Sequence, residues 1–174
     1  MSRRRVVITG FMGAGKTTVG RALANLLGGT FADLDDAVRE LEVRGPRELI
    51  DEEGEDYFRE AETRALHRVL ERGEALVVAT GGGAWTRARN RSLVAEHGCL
   101  SVWLDAPFDL CLRRIEAEGD RDSRPFARDA ERASRLYEER LAAYRLADLR
   151  VPVAPEAGAE ELAAEIAAAL GESG

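Results

Sequence analysis

The sequence predicts an α/β fold built on a parallel β-sheet, and three observations carry that prediction. Short apolar runs alternate with longer helical patterns along the whole chain. The runs are rich in aliphatic and β-branched residues, as strands covered on both faces should be. The first run leads directly into Gly10-Phe11-Met12-Gly13-Ala14-Gly15-Lys16-Thr17, a glycine-rich turn that opens a helix. A length of 174 residues is that of one domain, so 1–174 is read as a single unit.

In chain order, Val6–Thr9 is the first strand, and the turn releases the chain into an amphipathic helix over Lys16–Leu27. A short strand over 30–32 precedes Asp33 and Asp35, and helical spacing returns at 37–41 and over 56–71. The apolar run 76–80 ends in Gly81-Gly82-Gly83 and is followed by a helix over 86–96. Strand 99–104 and helix 108–118 come next. The stretch 119–129 is polar, charged and carries Pro125, so it is a surface loop, either a functional lid or a solvated connection. Helix 132–144, strand 149–153 and an alanine-rich helix over 160–170 complete the pattern.

Composition removes several classes of function. A hydrophobic fraction of 45% supports a buried core and excludes a wholly disordered chain. A net charge of −7 argues against a general nucleic-acid binder, which needs a basic face, and leaves room for an arginine-lined pocket for a small anion. There is no run of 18 apolar residues, so no membrane-spanning helix is expected. Arg3-Arg4-Arg5 ahead of an apolar stretch has the look of an export signal, but Lys16 interrupts the stretch and no small-residue cleavage site follows. Cys99 and Cys111 lack CxxC spacing, and His67 and His97 fall in charged helical stretches, which is the pattern of a reduced, cytoplasmic chain without a zinc site.

The turn at 10–17 matches GxxxxGK[ST] and has the required strand before it and helix after it. Its glycines let backbone N–H groups turn toward phosphate oxygens, and the helix N-terminus adds partial positive charge. Lys16 is placed to reach the β- and γ-phosphates, and the Thr17 hydroxyl to ligate Mg²⁺. The chain holds 24 arginines and one lysine, Lys16. The guanine-reading NKxD element needs a second lysine, so a GTPase is excluded, and the DxxG match at Asp51 follows no apolar strand.

Other candidates depend on company. Three glycines at the end of a parallel strand either admit a ligand close to the backbone or form a flexible turn. Asp33 and Asp35, two apart on extended backbone, would point to one side, one near Mg²⁺ and one toward an acceptor hydroxyl; a helix N-cap at Asp35 or Asp36 is the competing use. Arg59 and Glu62 have i, i+3 spacing, and Arg140 and Tyr144 have i, i+4 spacing.

From Val6 to about residue 153 these residues resemble the shikimate kinase family. The elements that carry the resemblance are the phosphate-binding turn, Asp33-Leu34-Asp35, Gly54-Glu55 with Phe58, Arg59 and Glu62, Thr80 with its three glycines, Arg124-Pro125, and Arg140 with Tyr144 and Ala147-Asp148. The resemblance implies a five-stranded parallel sheet flanked by helices, a P-loop kinase of the nucleoside-monophosphate-kinase-like type. Substrate-binding helices are expected over about 33–72 and a lid loop over about 119–129. The implied reaction is transfer of the ATP γ-phosphoryl group to the 3-hydroxyl of shikimate.

The roles implied are as follows. Lys16, Asp35 and Arg124 are the catalytic residues, and Gly13, Ala14, Gly15, Lys16, Thr17, Thr18 and Arg124 bind ATP. Asp35, Arg59, Gly82 and Arg140 bind the substrate, with the two arginines as a carboxylate clamp. Thr17 and Asp33 form the Mg²⁺ site, Asp33 through water. Shikimate and ATP are the expected partners, with no nucleic acid or membrane, and the chain is expected to be a cytoplasmic monomer. Departures from the family pattern are Arg124-Pro125-Phe126-Ala127 in the lid, Ala142-Ala143 before the tyrosine, and Ile50 where an aromatic often lines the site. Two other readings remain at this point: a kinase for another hydroxy acid such as gluconate, and a nucleotide-binding module without catalysis.

Overall fold

A computed structural model describes residues 4–118 and 129–172. Five strands, β1 (Val6–Thr9), β2 (Phe31–Asp33), β3 (Val77–Ala79), β4 (Leu100–Asp105) and β5 (Leu149–Pro152), form one parallel sheet in the order β2-β3-β1-β4-β5. β1 pairs with β3 through Val6 opposite Val77 and with β4 through Val6 opposite Leu100. Every residue of β1 and β3 is buried, which explains their uniform apolar character. The chain leaves β1 for β2 on one side and later returns to β4 on the other, so the turn after β1 sits at a topological switch point. Ligands of such sheets bind in that crevice.

The helices are α1 (Lys16–Leu27), α2 (Leu34–Glu42), α3 (Pro46–Glu53), α4 (Glu55–Arg72), α5 (Ala88–Glu96), α6 (Phe108–Ala117), α7 (Ala130–Tyr144) and α8 (Ala159–Glu172). α1 packs against α8, and α4 packs against α2, α3 and α5. A core of Val6, Ile8, Leu23, Leu34, Leu66, Leu104 and Ile166 runs through these layers.

The expected elements are present with shifted ends, and three differences have physical causes. The segment 37–41 is the middle of a longer helix that begins at Leu34, because Asp33 is its N-cap: the carboxylate accepts from the Asp35 N–H at 2.9 Å. α3 was not anticipated. Pro46 sits at its first position, and Glu48 accepts from the Gly45 N–H at 3.1 Å, but Leu49 is its one fully buried residue and gives no periodic signal. The helix expected over 86–96 starts later, as α5 at Ala88, because Arg87 at its N-cap has extended backbone after a 3₁₀ turn at Ala84–Thr86.

His67 is exposed, whereas His97 is half-buried, with its Nδ1 2.8 Å from the Leu93 carbonyl and its Nε2 3.1 Å from Glu71. Both cysteines are buried free thiols. Among the described residues no group of ligands could hold a metal through His, Cys, Asp and Glu alone, and no helix is long and apolar enough to cross a membrane.

Candidate active site

A cleft of about 690 Å³ opens at the carboxyl edge of the sheet, and nearly every site residue expected from the sequence lines it. One part is made mostly of backbone. Gly10, Gly13 and Gly15 have φ of 149°, 79° and 97°, values that side chains rarely tolerate. Space constrains two of them as well. A Cβ on Gly13 would lie 2.6 Å from the Cys111 carbonyl oxygen, and one on Gly10 would lie 2.8 Å from that of Leu104. The turn is thus pressed against β4 and α6 while its other side faces the cleft.

Gly15 caps α1 in the left-handed conformation without a side chain, and no acidic residue occupies the first turn of that helix. The positive end of the helix is therefore presented to the cleft. Lys16 Nζ donates to the carbonyls of Gly10 at 2.8 Å and Phe11 at 3.0 Å, which curls the ammonium back over the turn. Thr17 Oγ1 donates to Asp33 Oδ2 at 3.0 Å. Asp33 holds both Thr17 and the start of α2, and Asp35 sits in the first turn of that helix. The expectation of two carboxylates side by side on extended backbone, and of a cap at Asp35 or Asp36, is thereby corrected. Both aspartates still line the cleft.

The other part of the cleft is made of side chains from separate segments. Arg59 Nη1 donates to Glu62 Oε1 at 2.9 Å, on one face of α4. Glu62 is 1% exposed, and its Oε2 has no hydrogen-bond partner among the described residues. Arg140 on α7 is buried and lies over the Phe11 ring, 5.9 Å from its centroid. Both guanidinium groups rest on the glycines after β3. A Cβ on Gly82 would lie 2.9 Å from Arg140 Nη1, and one on Gly83 would collide with the Arg59 guanidinium. A Cβ on Gly81 would stand 3.0 Å from Glu62 Oε2. The three glycines are a shelf that lets two arginines and a glutamate approach the backbone.

Burial raises the Asp35 pKa, with the charge of Asp33 adding to the effect and Lys16 opposing it. Burial likewise raises that of Glu62, against the pull of Arg59. The cleft therefore holds two carboxyl groups that resist ionisation beside four cations, Lys16, Arg59, Arg114 and Arg140, a balance that a further anion would change.

Of the expected site residues, Gly13, Ala14, Gly15, Lys16, Thr17, Thr18, Asp33, Asp35, Arg59, Gly82 and Arg140 meet in this one cleft. Arg124 and nearly all of the loop 119–129 lie outside the described residues; Asp129, at its end, caps α7 by accepting from the Arg132 N–H at 3.0 Å. Sequence reasoning missed Arg114. Its Nη1 donates to the carbonyls of Gly13 at 3.3 Å and Ala14 at 3.2 Å, bracing the turn from α6. Nothing in the pattern distinguishes it from the other arginines. Ala157, Ala159 and Leu162 line the cleft as well, close to the segment after β5.

A complete phosphate-binding turn, an aspartate pair and a two-arginine cradle in one cleft make a specific combination. The Shikimate kinase family model matches residues 12–171. The shikimate kinase of Ruegeria pomeroyi is 41% identical over 170 residues, covering 96% of this chain and 85% of that protein. The chain belongs to the shikimate kinase family.

That of Rhodopseudomonas palustris is 40% identical over 148 residues, covering 85% of this chain and 72% of the relative. The same family supplies similar solved structures. The shikimate kinase from Acinetobacter baumannii, in complex with shikimate, superposes with a TM-score of 0.88 at 32% identity, covering 99% of this chain and 95% of that one. The one from Aquifex aeolicus gives 0.83 at 32% identity, covering 97% of each. Family membership agrees with the five-stranded parallel sheet and with the cleft at its carboxyl edge.

Proposed function

We propose that this chain transfers the γ-phosphoryl group of ATP to the 3-hydroxyl of shikimate, in the cleft described above. The observation that carries the reading is the meeting of Asp35, Arg59 and Arg140 in the same cleft as the phosphate-binding turn. Shikimate is a small carboxylate with several hydroxyls, and planar guanidinium forks suit its carboxylate as Asp35 suits a hydroxyl.

ATP binds with its phosphates on the backbone of Gly13, Ala14, Gly15, Lys16, Thr17 and Thr18. Lys16 exchanges its two carbonyl partners for phosphate oxygens, and the adenine lies between Arg114 and the segment that carries Ala157. Arg59 and Arg140 orient the shikimate carboxylate, and the Gly82 backbone meets the substrate from the shelf. Asp35 accepts a hydrogen bond from the 3-hydroxyl and takes its proton as the bond to phosphorus forms. Its raised pKa suits proton transfer better than that of an ordinary aspartate. Arg124, outside the described residues, binds the ATP phosphates in this reading, and exclusion of water from the filled cleft suppresses ATP hydrolysis.

Thr17 and Asp33 present two hard oxygen donors 3.0 Å apart beside the phosphate site, a set that fits Mg²⁺, which keeps most of its water shell. Bound there, Thr17 directly and Asp33 through water, Mg²⁺ would neutralise phosphate charge during the transfer. The protein works as a cytoplasmic monomer in this reading, and size-exclusion chromatography with light scattering checks the monomer.

ADP release across a panel of hydroxy acids tests the substrate. Shikimate is expected to give turnover, while gluconate gives little. A panel in which gluconate outpaces shikimate would move the assignment to another acid, and tight ATP binding without turnover on any acceptor would make the chain a silent nucleotide-binding module.

A further inference from the structure

Each arginine of the cradle has a hydroxyl residue one helical turn after it, on the same face: Thr63 after Arg59 on α4, and Tyr144 after Arg140 on α7. Neither hydroxyl residue lines the cleft. Tyr144 is tied directly to the backbone of the glycine shelf, and Thr63 is tied through Asn90 to the residue that follows it. Tyr144 Oη donates to the Gly82 carbonyl at 2.6 Å, from a ring that is fully buried and stacked on Trp103. Thr63 Oγ1 donates to Asn90 Oδ1 at 2.8 Å, and Asn90 Nδ2 donates to the carbonyl of Ala84, the residue after the shelf, at 2.8 Å. Thr63 and Asn90 are 2% and 0% exposed, so neither bond is open to exchange with water.

We propose that Thr63 and Tyr144 are positioning residues for substrate binding. By tying α4 and α7 to the shelf, they fix the span between the Arg59 and Arg140 guanidinium groups and so the fit of a single carboxylate. The inference rests on the reading of these two arginines as a carboxylate clamp.

The geometry explains why such ties are useful. An arginine side chain is long and flexible, and a fork that must be immobilised on binding loses affinity. Contact with Gly82 and Gly83 limits each guanidinium from one side only. Glu62 holds the tip of Arg59 and the Phe11 ring supports that of Arg140; the position of each helix relative to the shelf sets the rest, and a bond at the next turn helps to fix that position. Arg87 reinforces the α4 tie, its Nη1 donating to Thr63 Oγ1 at 3.3 Å while its Nη2 pairs with Glu60. On the α7 side, burial drives the Tyr144 phenol up to about 12, so its hydroxyl remains a donor across the working pH range.

Thr63→Val and Tyr144→Phe remove the two hydroxyls with little change of shape, and Thr63→Ser keeps one. Calorimetric titration with shikimate, KM values for both substrates, and thermal melts are measured on all three and on the wild type. The expected result is a roughly threefold to tenfold weaker shikimate Kd in Thr63→Val and in Tyr144→Phe, with KM for ATP unchanged. Thr63→Ser restores the wild-type Kd. A fall in melting temperature with unchanged shikimate Kd, or KM values for both substrates rising together, would overturn the inference and leave the clamp standing. Absence of shikimate binding by the wild type would overturn the clamp and the inference together. If Tyr144→Phe does not fold, the contrast between Thr63→Val and Thr63→Ser decides the question alone.

Discussion

The two parts of the cleft are built on opposite principles. The phosphate-binding part comes from eight consecutive residues and relies on backbone N–H groups at a helix N-terminus. The acceptor part takes Asp35 from α2, Arg59 and Glu62 from α4, three glycines from the end of β3 and Arg140 from α7. Backbone recognition serves any nucleotide phosphate, because every residue offers the same donor. Side chains gathered from distant segments define one acceptor, because their spacing is set by the packing of three helices on the sheet.

The glycines show the contrast most clearly. Gly13 is held at positive φ against the Cys111 carbonyl, which is backbone and has no room to move. Gly83 is held against the tip of Arg59, which can swing away. A methyl group added to the first strains the fold, and one added to the second displaces a ligand-binding group.

The largest effect is expected from Lys16→Ala, which should lower kcat by roughly a hundred- to a thousandfold in an ADP-coupled assay, with shikimate binding preserved. Next comes Arg59→Lys, which keeps the charge and removes the fork. Its KM for shikimate should rise about tenfold or more while KM for ATP holds, and an unchanged shikimate KM would break the assignment of the acceptor part.

The glycine pair sharpens the comparison directly. Gly13→Ala should lower the melting temperature by several degrees, whereas Gly83→Ala should leave it nearly unchanged and raise KM for shikimate. Equal destabilisation by both would remove the distinction drawn between the two parts. Asp35→Asn should abolish most turnover and raise the melting temperature by roughly 2 °C, because an amide avoids the cost of a buried charge.

The smallest effect concerns Glu62. Its folded-state pKa is raised, so the folded chain holds this proton more tightly than the unfolded chain. The associated stability is fully present below the unfolded value and is lost as pH rises through the folded one. Melting curves of wild type and Glu62→Gln should therefore differ more in favour of the wild type in acid than at pH 8. A difference that grows with pH would show the Arg59 pairing outweighing burial.

The same contrast explains what could be read from the chain. β1, the turn and α1 were legible to the residue, because local spacing and glycine chemistry define them. By spacing alone Arg59 with Glu62 and Arg140 with Tyr144 were visible only as helix pairs; the family resemblance supplied their expected role as a clamp, and the shelf that joins them depends on α4, α7 and β3 coming together. Asp33 was misjudged because a two-residue spacing reads the same in a strand and across a strand-to-helix junction; the Asp35 N–H that its carboxylate binds decides the case. α3 escaped because one buried leucine makes no period, although Gly45, Pro46 and Glu48 form a usable start signal. Arg114 had no local signal, since an arginine excess makes any single arginine uninformative.

Phosphorus NMR of the wild-type protein with ATP, Mg²⁺ and shikimate tests the central claim most directly. The expected products are ADP and one new phosphomonoester, carried on the 3-hydroxyl of shikimate. Unchanged ATP, or ADP with inorganic phosphate and no ester, would contradict it.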